Sequence, residues 1–199
     1  MFKTICKTAL KTLLLLAVVA LVAFGVASLG FPSNMAGLCE KSGNYSMAVG
    51  YANISYTYTK DVNDLNRCFT DSVAAQSDSK IIKYGDKLIA DEKFAEVCEK
   101  AESLVKTDYK QYVYGRVSAA KYRKGKKDEA VALAIKALDG VQSFPDGNAL
   151  TYLSLQVIES NDKDTAAKLL AEVEKRTPAE GETDYQILIQ ELNKIAGQQ

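Results

Sequence analysis

The side chains that most often carry out acid–base chemistry are sparse in this chain. It contains no histidine, the residue that most often acts as a general base or metal ligand near neutral pH. Adjacent carboxylates occur at Asp91-Glu92 and Asp128-Glu129. Both pairs fall in the predicted first turns of helices, where negative charge complements the helix dipole. We therefore interpret them as structural residues in preference to a catalytic acid and base.

Sequence motifs of common enzyme classes are also missing from the chain. There is no G-x-S-x-G elbow, no phosphate-binding glycine loop and no dinucleotide-binding fingerprint. We predict that the protein is not an enzyme, has no catalytic residues, requires no cofactor and holds no metal.

The four cysteines do not have the spacing of a reactive or metal-binding set. Cys6 precedes a long apolar segment, and Cys39, Cys68 and Cys98 follow it without any C-x-x-C pair. We predict that the latter three are small buried residues on helix faces. A single disulfide between Cys39 and Cys68 is the alternative, because an exported domain can meet an oxidising environment.

Basic and aromatic residues are concentrated in one stretch in the second half of the chain. The basic residues are Arg116, Lys121, Arg123, Lys124, Lys126 and Lys127, and the aromatic ones are Tyr109, Tyr112, Tyr114 and Tyr122. Two interpretations are open: a solvated turn between helices, or a docking patch for an acidic peptide, a phosphate or an anionic polymer. Beyond the apolar segment the chain has 22 basic residues, the 25 in total less three, against 25 acidic ones. That balance predicts no nucleic-acid partner.

The segment that precedes these residues in the chain is suited to a membrane. Residues 12–31 carry no charge, and twenty helical residues at about 1.5 Å each match the ~30 Å hydrocarbon layer. Residues 1–11 contain Lys3, Lys7 and Lys11, whereas the first charge after the segment is Glu40. We predict a cytoplasmic N-terminus, a transmembrane signal-anchor helix at 12–31 and an exported domain at 33–199. The alternative is a cleaved signal peptide and a secreted protein.

Helical periodicity dominates residues 33–199. Ile54–Thr59 alternates apolar and polar residues like a strand, but its position in the pattern favours a helix, and residues 61–77 suggest an inserted helix. Pro145 and the capping-box sequence Thr177–Glu180 are predicted to lie at the starts of helices.

A turn followed by a small residue at the same offset recurs four times in this region. The four segments begin at Gly43, Glu92, Gly125 and Asn161, which are 49, 33 and 36 residues apart. Periods of this size indicate stacked helical hairpins. We therefore predict an all-α fold in which antiparallel hairpins form a short α-solenoid after the transmembrane helix.

The repeat resembles the tetratricopeptide-repeat family over about residues 33–178. The matching residues are Gly43, Tyr45, Ala48, Ala52, Ser55, Tyr84, Gly85, Leu88, Phe94, Ala101, Gly125, Ala130, Ala134, Ala137, Leu153, Ala166 and Pro178. The chain departs from the family pattern at Glu92 and Asn161, which replace the turn glycine, and at Lys127 and Lys163, which replace the aromatic residue.

The resemblance implies a concave face lined by the first helix of each hairpin. The residues it places there are Lys83, Tyr112, Arg116, Tyr122, Arg123, Asn148 and Tyr152. Some members of the family bind a C-terminal carboxylate through Lys, Arg and Asn residues. Here only Arg116 falls at such a place and the asparagines of that set are missing, so the sequence does not predict a carboxylate clamp.

Helical-repeat domains are usually binding surfaces. We expect a membrane-anchored protein that binds a protein or peptide partner, as an adaptor or a chaperone-like accessory of an envelope complex. The alternative is a structural domain that holds a homo-oligomer and has no peptide groove.

Overall fold

The structure is a computed structural model that describes residues 2–105, 108–141, 143–178 and 183–197. The chain forms two compact units, residues 1–71 and 72–199. Within the described residues there are eleven helices and two strands of two residues each. The all-α prediction is confirmed.

The first unit is built from four helices. They are α1 (Phe2–Gly30), α2 (Pro32–Lys41), α3 (Tyr45–Thr59) and α4 (Val62–Ala74), the last three residues of α4 belonging to the second unit. Within α1, Lys11–Gly30 is long and apolar enough to cross a membrane, with a mean hydropathy of 2.7. Membrane anchors and signal sequences share these properties.

Helices α2 and α3 form the first hairpin. Gly43 reverses the chain with a left-handed φ of 74°, a conformation that glycine adopts without strain. The side chain of Asn44 caps α3 by accepting a hydrogen bond from the backbone N–H of Met47. Ala48 and Ala52 are fully buried, which lets the helices approach closely.

The strand-like segment Ile54–Thr59 is helical, as its place in the repeat predicts. The Ser55 hydroxyl donates to the carboxylate of Asp64 at 2.7 Å, and the Thr59 hydroxyl donates to the same oxygen at 2.8 Å. These bonds join α3 to α4, so tertiary contacts override the local β propensity. The predicted inserted helix is α4, and it buries Leu65 and Phe69 completely.

In the part of the second unit that the structure describes, there are seven helices and a two-stranded sheet. They are α5 (Asp78–Ile89), α6 (Phe94–Val105), α7 (Tyr109–Arg123), α8 (Lys127–Ala137), β1 (Ser143–Phe144), α9 (Ala149–Ser160), α10 (Lys163–Val173), β2 (Thr177–Pro178) and α11 (Asp184–Ala196).

These helices are stacked in two layers. In the first layer α5 contacts α7, α7 contacts α9 and α9 contacts α11. The second layer consists of α6, α8 and α10, which alternate along the chain with the helices of the first layer. Within it α8 contacts α10. Each hairpin shares its core with the next, which is the arrangement of a helical-repeat protein. Residues at the centre of this core are Val113, Leu150, Leu153 and Leu169.

All four repeated turn segments lie between two helices. The residues at the shared offset, Ala48, Val97, Ala130 and Ala166, are all buried. Gly125 and Asn161 adopt left-handed φ values of 78° and 52°, which is the usual way to end a helix. The predicted hairpin positions are therefore confirmed.

Two predicted helix starts are wrong. Pro145 lies four residues before α9, whose cap is Asn148. Thr177 and Pro178 form β2, which pairs in parallel with β1, and α11 begins only at Asp184. The other half of the predicted capping box, residues 179 and 180, lies outside the described residues.

The prediction that three of the cysteines are buried on helix faces is confirmed. Cys39, Cys68 and Cys98 are all free and buried, so the alternative disulfide between Cys39 and Cys68 is not formed. Burial raises the pKa of the Cys98 thiol to about 12, which keeps it protonated and unreactive.

Candidate functional site

Helix α7 holds the centre of the second unit. The side chain of Asp108 caps its first turn by accepting from the backbone N–H of Gln111 at 2.9 Å. Gln111 is buried, donates to the carbonyl of Ala137 at 2.8 Å and accepts from the backbone N–H of Ala149 at 3.0 Å. One amide therefore fixes α7 against the end of α8 and the start of α9. Val113 is fully buried.

The other side of α7 presents a group of aromatic rings around an arginine. The guanidinium carbon of Arg116 lies 5.3 Å from the ring centroid of Tyr112 and 5.1 Å from that of Tyr152. The two rings meet edge to face with centroids 6.1 Å apart, and Tyr109 stacks on Tyr112 at 5.6 Å. Cation–π contacts at such distances favour a fixed orientation of the guanidinium. We call Tyr109, Tyr112, Arg116 and Tyr152 the tyrosine–arginine cluster.

Gly115 makes this cluster possible. A Cβ atom at that position would lie 2.3 Å from Cδ2 and 2.9 Å from Cβ of Tyr152. The ring of Tyr152 on α9 therefore rests directly on the backbone of α7. Gly115 could not be identified from the sequence, because the sequence does not show which side chain packs against a glycine inside a helix.

The cluster is half-buried and leaves one positive charge accessible. Burial raises the pKa of the Tyr112 hydroxyl, and the charge and hydrogen bond of Arg116 oppose that effect. Arg116 itself is exposed. Among the residues that the structure describes, no carboxylate forms an ion pair with Arg116. The rings hold the guanidinium in place without neutralising it.

Tyr122 and its neighbours form a different kind of contact. The Tyr122 ring is buried, and its hydroxyl donates to the carboxylate of Asp162 at 2.8 Å. Lys127 approaches the same carboxylate at 2.7 Å. Burial opposes ionisation of Asp162, but hydrogen bonds from Lys127, Thr165 and Tyr122 outweigh it and lower its pKa. Because Asp162 also caps α10, this group braces a turn inside the unit.

Half of the six basic residues in this stretch form ion pairs with another helix or its cap. Lys121 is buried and bridges Asp86 at 2.8 Å and Glu129 at 3.1 Å. Arg123 binds Asp78 at 2.7 Å, and its guanidinium also donates to the amide oxygen of Gln156 at 2.8 Å. These cations join α5, α7, α8 and α9. The stretch is therefore neither a simple solvated turn nor an open patch of positive charge.

The remaining two predicted site residues do not join the cluster. Asn148 is fully buried and caps α9 by accepting from the backbone N–H groups of Leu150 and Thr151. Its predicted place on an open face is wrong. Lys83 is exposed, with its ammonium 4.9 Å from the ring of Tyr84. Of the seven predicted residues, the structure thus brings together Tyr112, Arg116 and Tyr152.

The first unit contains a partly buried charge cluster that sequence reasoning missed. The side chain of Arg67 on α4 donates to Glu40 on α2 and to the carbonyl oxygen of Ser33 at 2.9 Å. Asp71 lies nearby and is 5 % exposed, and one of its carboxylate oxygens has no hydrogen-bond partner among the described residues. Burial, followed by the proximity of Glu40, raises the pKa of Asp71 to about 7.

Comparisons with protein-family models, curated proteins and solved structures gave no match to this chain. The stacked hairpins are consistent with a helical-repeat fold. No comparison identifies the repeat family, so the resemblance to tetratricopeptide repeats stays a hypothesis.

Proposed function

We propose that this chain is a single-pass membrane protein whose helical-repeat unit binds a protein or peptide partner. In this proposal residues 12–31 form the anchor, the N-terminus is cytoplasmic and the repeats are extracytoplasmic. The role that fits is an adaptor or a chaperone-like accessory of an envelope complex, with tetratricopeptide-like repeats as the scaffold. The proposal includes no enzymatic activity, cofactor, metal or nucleic-acid partner.

The observation that supports the binding role is that the exposed guanidinium of Arg116 has no carboxylate partner among the described residues. Of the other three cations of α7, Lys121 and Arg123 have carboxylate partners inside the unit, while Lys110 is exposed with its ammonium 6.0 Å from the ring of Tyr114. Arg116 is exposed and held between two rings, with no ion pair to a described residue. A guanidinium binds a carboxylate through two parallel hydrogen bonds. An acidic group of a bound peptide would supply the missing partner, and the tyrosine rings would contact the side chains around it.

Affinity purification of the full-length chain from membranes solubilised in mild detergent tests this role. Wild-type protein is compared with Arg116→Met and with a matched variant, Lys124→Met, which removes an exposed positive charge just after the same helix. We expect a stoichiometric partner with the wild type and Lys124→Met, and its loss with Arg116→Met. Equal recovery with both variants would remove the cluster from the binding surface.

Protease accessibility tests the anchor and its orientation. Protease added outside intact cells should digest residues 33–199, while the size of the mature chain shows whether residues 1–31 are retained. A protected domain contradicts the orientation. A shortened chain released from membranes supports the secreted alternative, and self-association without any partner supports the oligomerisation alternative.

A further inference from the structure

Helix α3 has two apolar sides, and only one of them belongs to the core of its unit. Its fifteen residues include no charged side chain. Ala48, Val49 and Ala52 form the buried side of this helix, which contacts α2. A second apolar stripe recurs at intervals of three, one, three and four residues, the pattern of one helix face. We call it the outer stripe, and it consists of Met47, Gly50, Tyr51, Ile54 and Tyr58.

The outer stripe is accessible within the first unit. Met47 is 45 % exposed and Tyr58 is 71 % exposed. A shallow groove of about 250 Å³ runs along Met47, Gly50, Tyr51 and Ile54. Polar residues occupy a third side of the helix, at Ser46, Asn53 and Thr57. The sorting of these residues into three sides indicates that the outer stripe faces an apolar medium that the unit itself does not supply.

The outer stripe lies beside the end of the apolar helix α1. The hydroxyl groups of Ser28 on α1 and Tyr51 on α3 are hydrogen-bonded at 3.2 Å. A cavity of about 500 Å³ is lined by residues 29–34 together with Ser55, Tyr58 and Thr59. Leu29 and Phe31 are more than half exposed. One apolar surface therefore continues from α1 onto α3.

We propose that the outer stripe of α3 lies in the interfacial layer of the bilayer, an inference that rests on the proposed anchoring by α1. The Ser28–Tyr51 contact places the stripe where α1 would leave the hydrocarbon layer. Tyrosine is enriched at that level because its ring is apolar and its hydroxyl reaches water. The charged residues nearest to α3 in the chain, Lys41 and Lys60, lie outside its ends. Helix α3 would thus lie along the membrane surface with its core side towards α2.

The chain contains no tryptophan, so single tryptophans report on chosen sites without background. The full-length protein is reconstituted into phosphatidylcholine vesicles whose acyl chains carry bromine near the headgroups, a quencher of tryptophan fluorescence. Tyr58→Trp probes the outer stripe, and Thr57→Trp is the matched control on the polar side of the same turn. We expect bromine to quench Tyr58→Trp several-fold more strongly than Thr57→Trp, and acrylamide in the water to show the reverse order.

Two other results overturn the inference. If acrylamide quenches both probes equally, the stripe faces water. If neither quencher reaches Tyr58→Trp, protein covers the stripe, as in a dimer of this chain. Phe24→Trp in α1 tests the anchor separately, with bromine placed deep in the acyl chains. Quenching at residue 24 without quenching at residue 58 rejects the stripe alone, whereas its absence at residue 24 rejects the anchor as well.

Discussion

Each of the two units contains one cation beside two carboxylates, yet the two clusters differ in how their carboxylates bind protons. In the first unit Arg67 pairs with Glu40 close to Asp71. Asp71 is 5 % exposed, and burial is the main reason that its pKa rises to about 7. One guanidinium nearby does not compensate for the loss of water.

In the second unit Lys121 stands between Asp86 and Glu129, whose side chains are 44 % and 53 % exposed. Hydrogen bonds from Lys121 and then Lys126 lower the pKa of Glu129. Asp71 is removed from water beside a second carboxylate, Glu40, whereas Glu129 is exposed and accepts hydrogen bonds from two lysines. Burial and charged neighbours together therefore set the direction of each pKa shift.

Arg116 adds a third case, a cation whose neighbours are tyrosine rings in place of carboxylates. The comparison separates cations that form ion pairs within the protein from Arg116, whose charge we propose is available to a binding partner. The experiments below test that separation, starting with the largest expected effect.

The largest effect concerns the pH dependence of stability. The pKa of Asp71 is 3.8 in the unfolded chain and about 7 in the folded protein. Between these pH values the folded protein keeps a proton that the unfolded chain has already released. The free energy of unfolding should therefore decrease as the pH rises through this interval, at a limiting slope of about 1.4 kcal/mol per pH unit. Unfolding of the full-length protein in detergent micelles, followed by circular dichroism at several pH values, measures this slope.

Asp71→Asn should flatten that slope, because an amide does not titrate. Glu129→Gln is the matched variant in the second cluster. Since the pKa of Glu129 is lowered from 4.5, its carboxylate is ionised in both the folded and the unfolded chain in the upper part of the interval, and the variant should leave the slope there unchanged. An unaltered slope in Asp71→Asn would show that the buried cluster is not its source.

The next effect comes from the contact that supports the tyrosine–arginine cluster. In Gly115→Ala the new Cβ overlaps Tyr152, so we expect a loss of about 1–3 kcal/mol in the free energy of unfolding and weaker partner binding. Gly50→Ala on α3 is the control, since a Cβ there meets nothing within 4 Å and alanine favours a helix. Equal destabilisation of the two variants contradicts the proposed packing.

Lys121→Met and Arg116→Met test directly whether the two cations have different roles. Lys121→Met removes hydrogen bonds to Asp86 and Glu129, and we expect a loss of about 1–2 kcal/mol in stability with partner binding kept. Arg116→Met removes cation–π contacts at an exposed site, so we expect a loss of about 0.5–1 kcal/mol in stability together with the loss of binding. Chemical denaturation measures the stability of each variant, and a pull-down measures its partner binding. Loss of binding in Lys121→Met with binding kept in Arg116→Met would refute the comparison.

The smallest effect is expected at the exposed pair of Arg123 and Asp78. Arg123→Gln should cost about 0.2–1 kcal/mol, and the difference from wild type should shrink at high salt. Denaturation at two ionic strengths measures it. A larger, salt-independent loss would mean that the contact is not an ordinary surface ion pair.

Local chemistry allowed much of the fold to be predicted from the sequence. Glycine at residues 43 and 125, and asparagine at 161, adopt the left-handed turns that end helices, and such turn residues can be recognised in the sequence. Prolines were less informative. Pro178 suits either the first turn of a helix or the edge of a sheet, and its pairing with Phe144 could not be read from neighbouring residues.

The candidate site was predicted only in part, because helical spacing fixes which residues share a face but not what lies opposite them. Tyr112 and Arg116 are four residues apart, so their contact followed from the helix. The partners of Tyr122 and Arg123, Asp162 and Asp78, are 40 and 45 residues away. Helical spacing alone could not show that these distant carboxylates contact two of the predicted binding residues.

Photo-cross-linking in intact membranes tests the central claim, that the face around Arg116 binds a partner. A photoreactive residue is placed at Leu155, which is exposed on α9 three residues after Tyr152, and as a control at Lys168 on α10. The account predicts one cross-linked partner from residue 155, lost in Arg116→Met and absent from residue 168. Cross-linking that is equal at both positions, or unchanged by Arg116→Met, would contradict it.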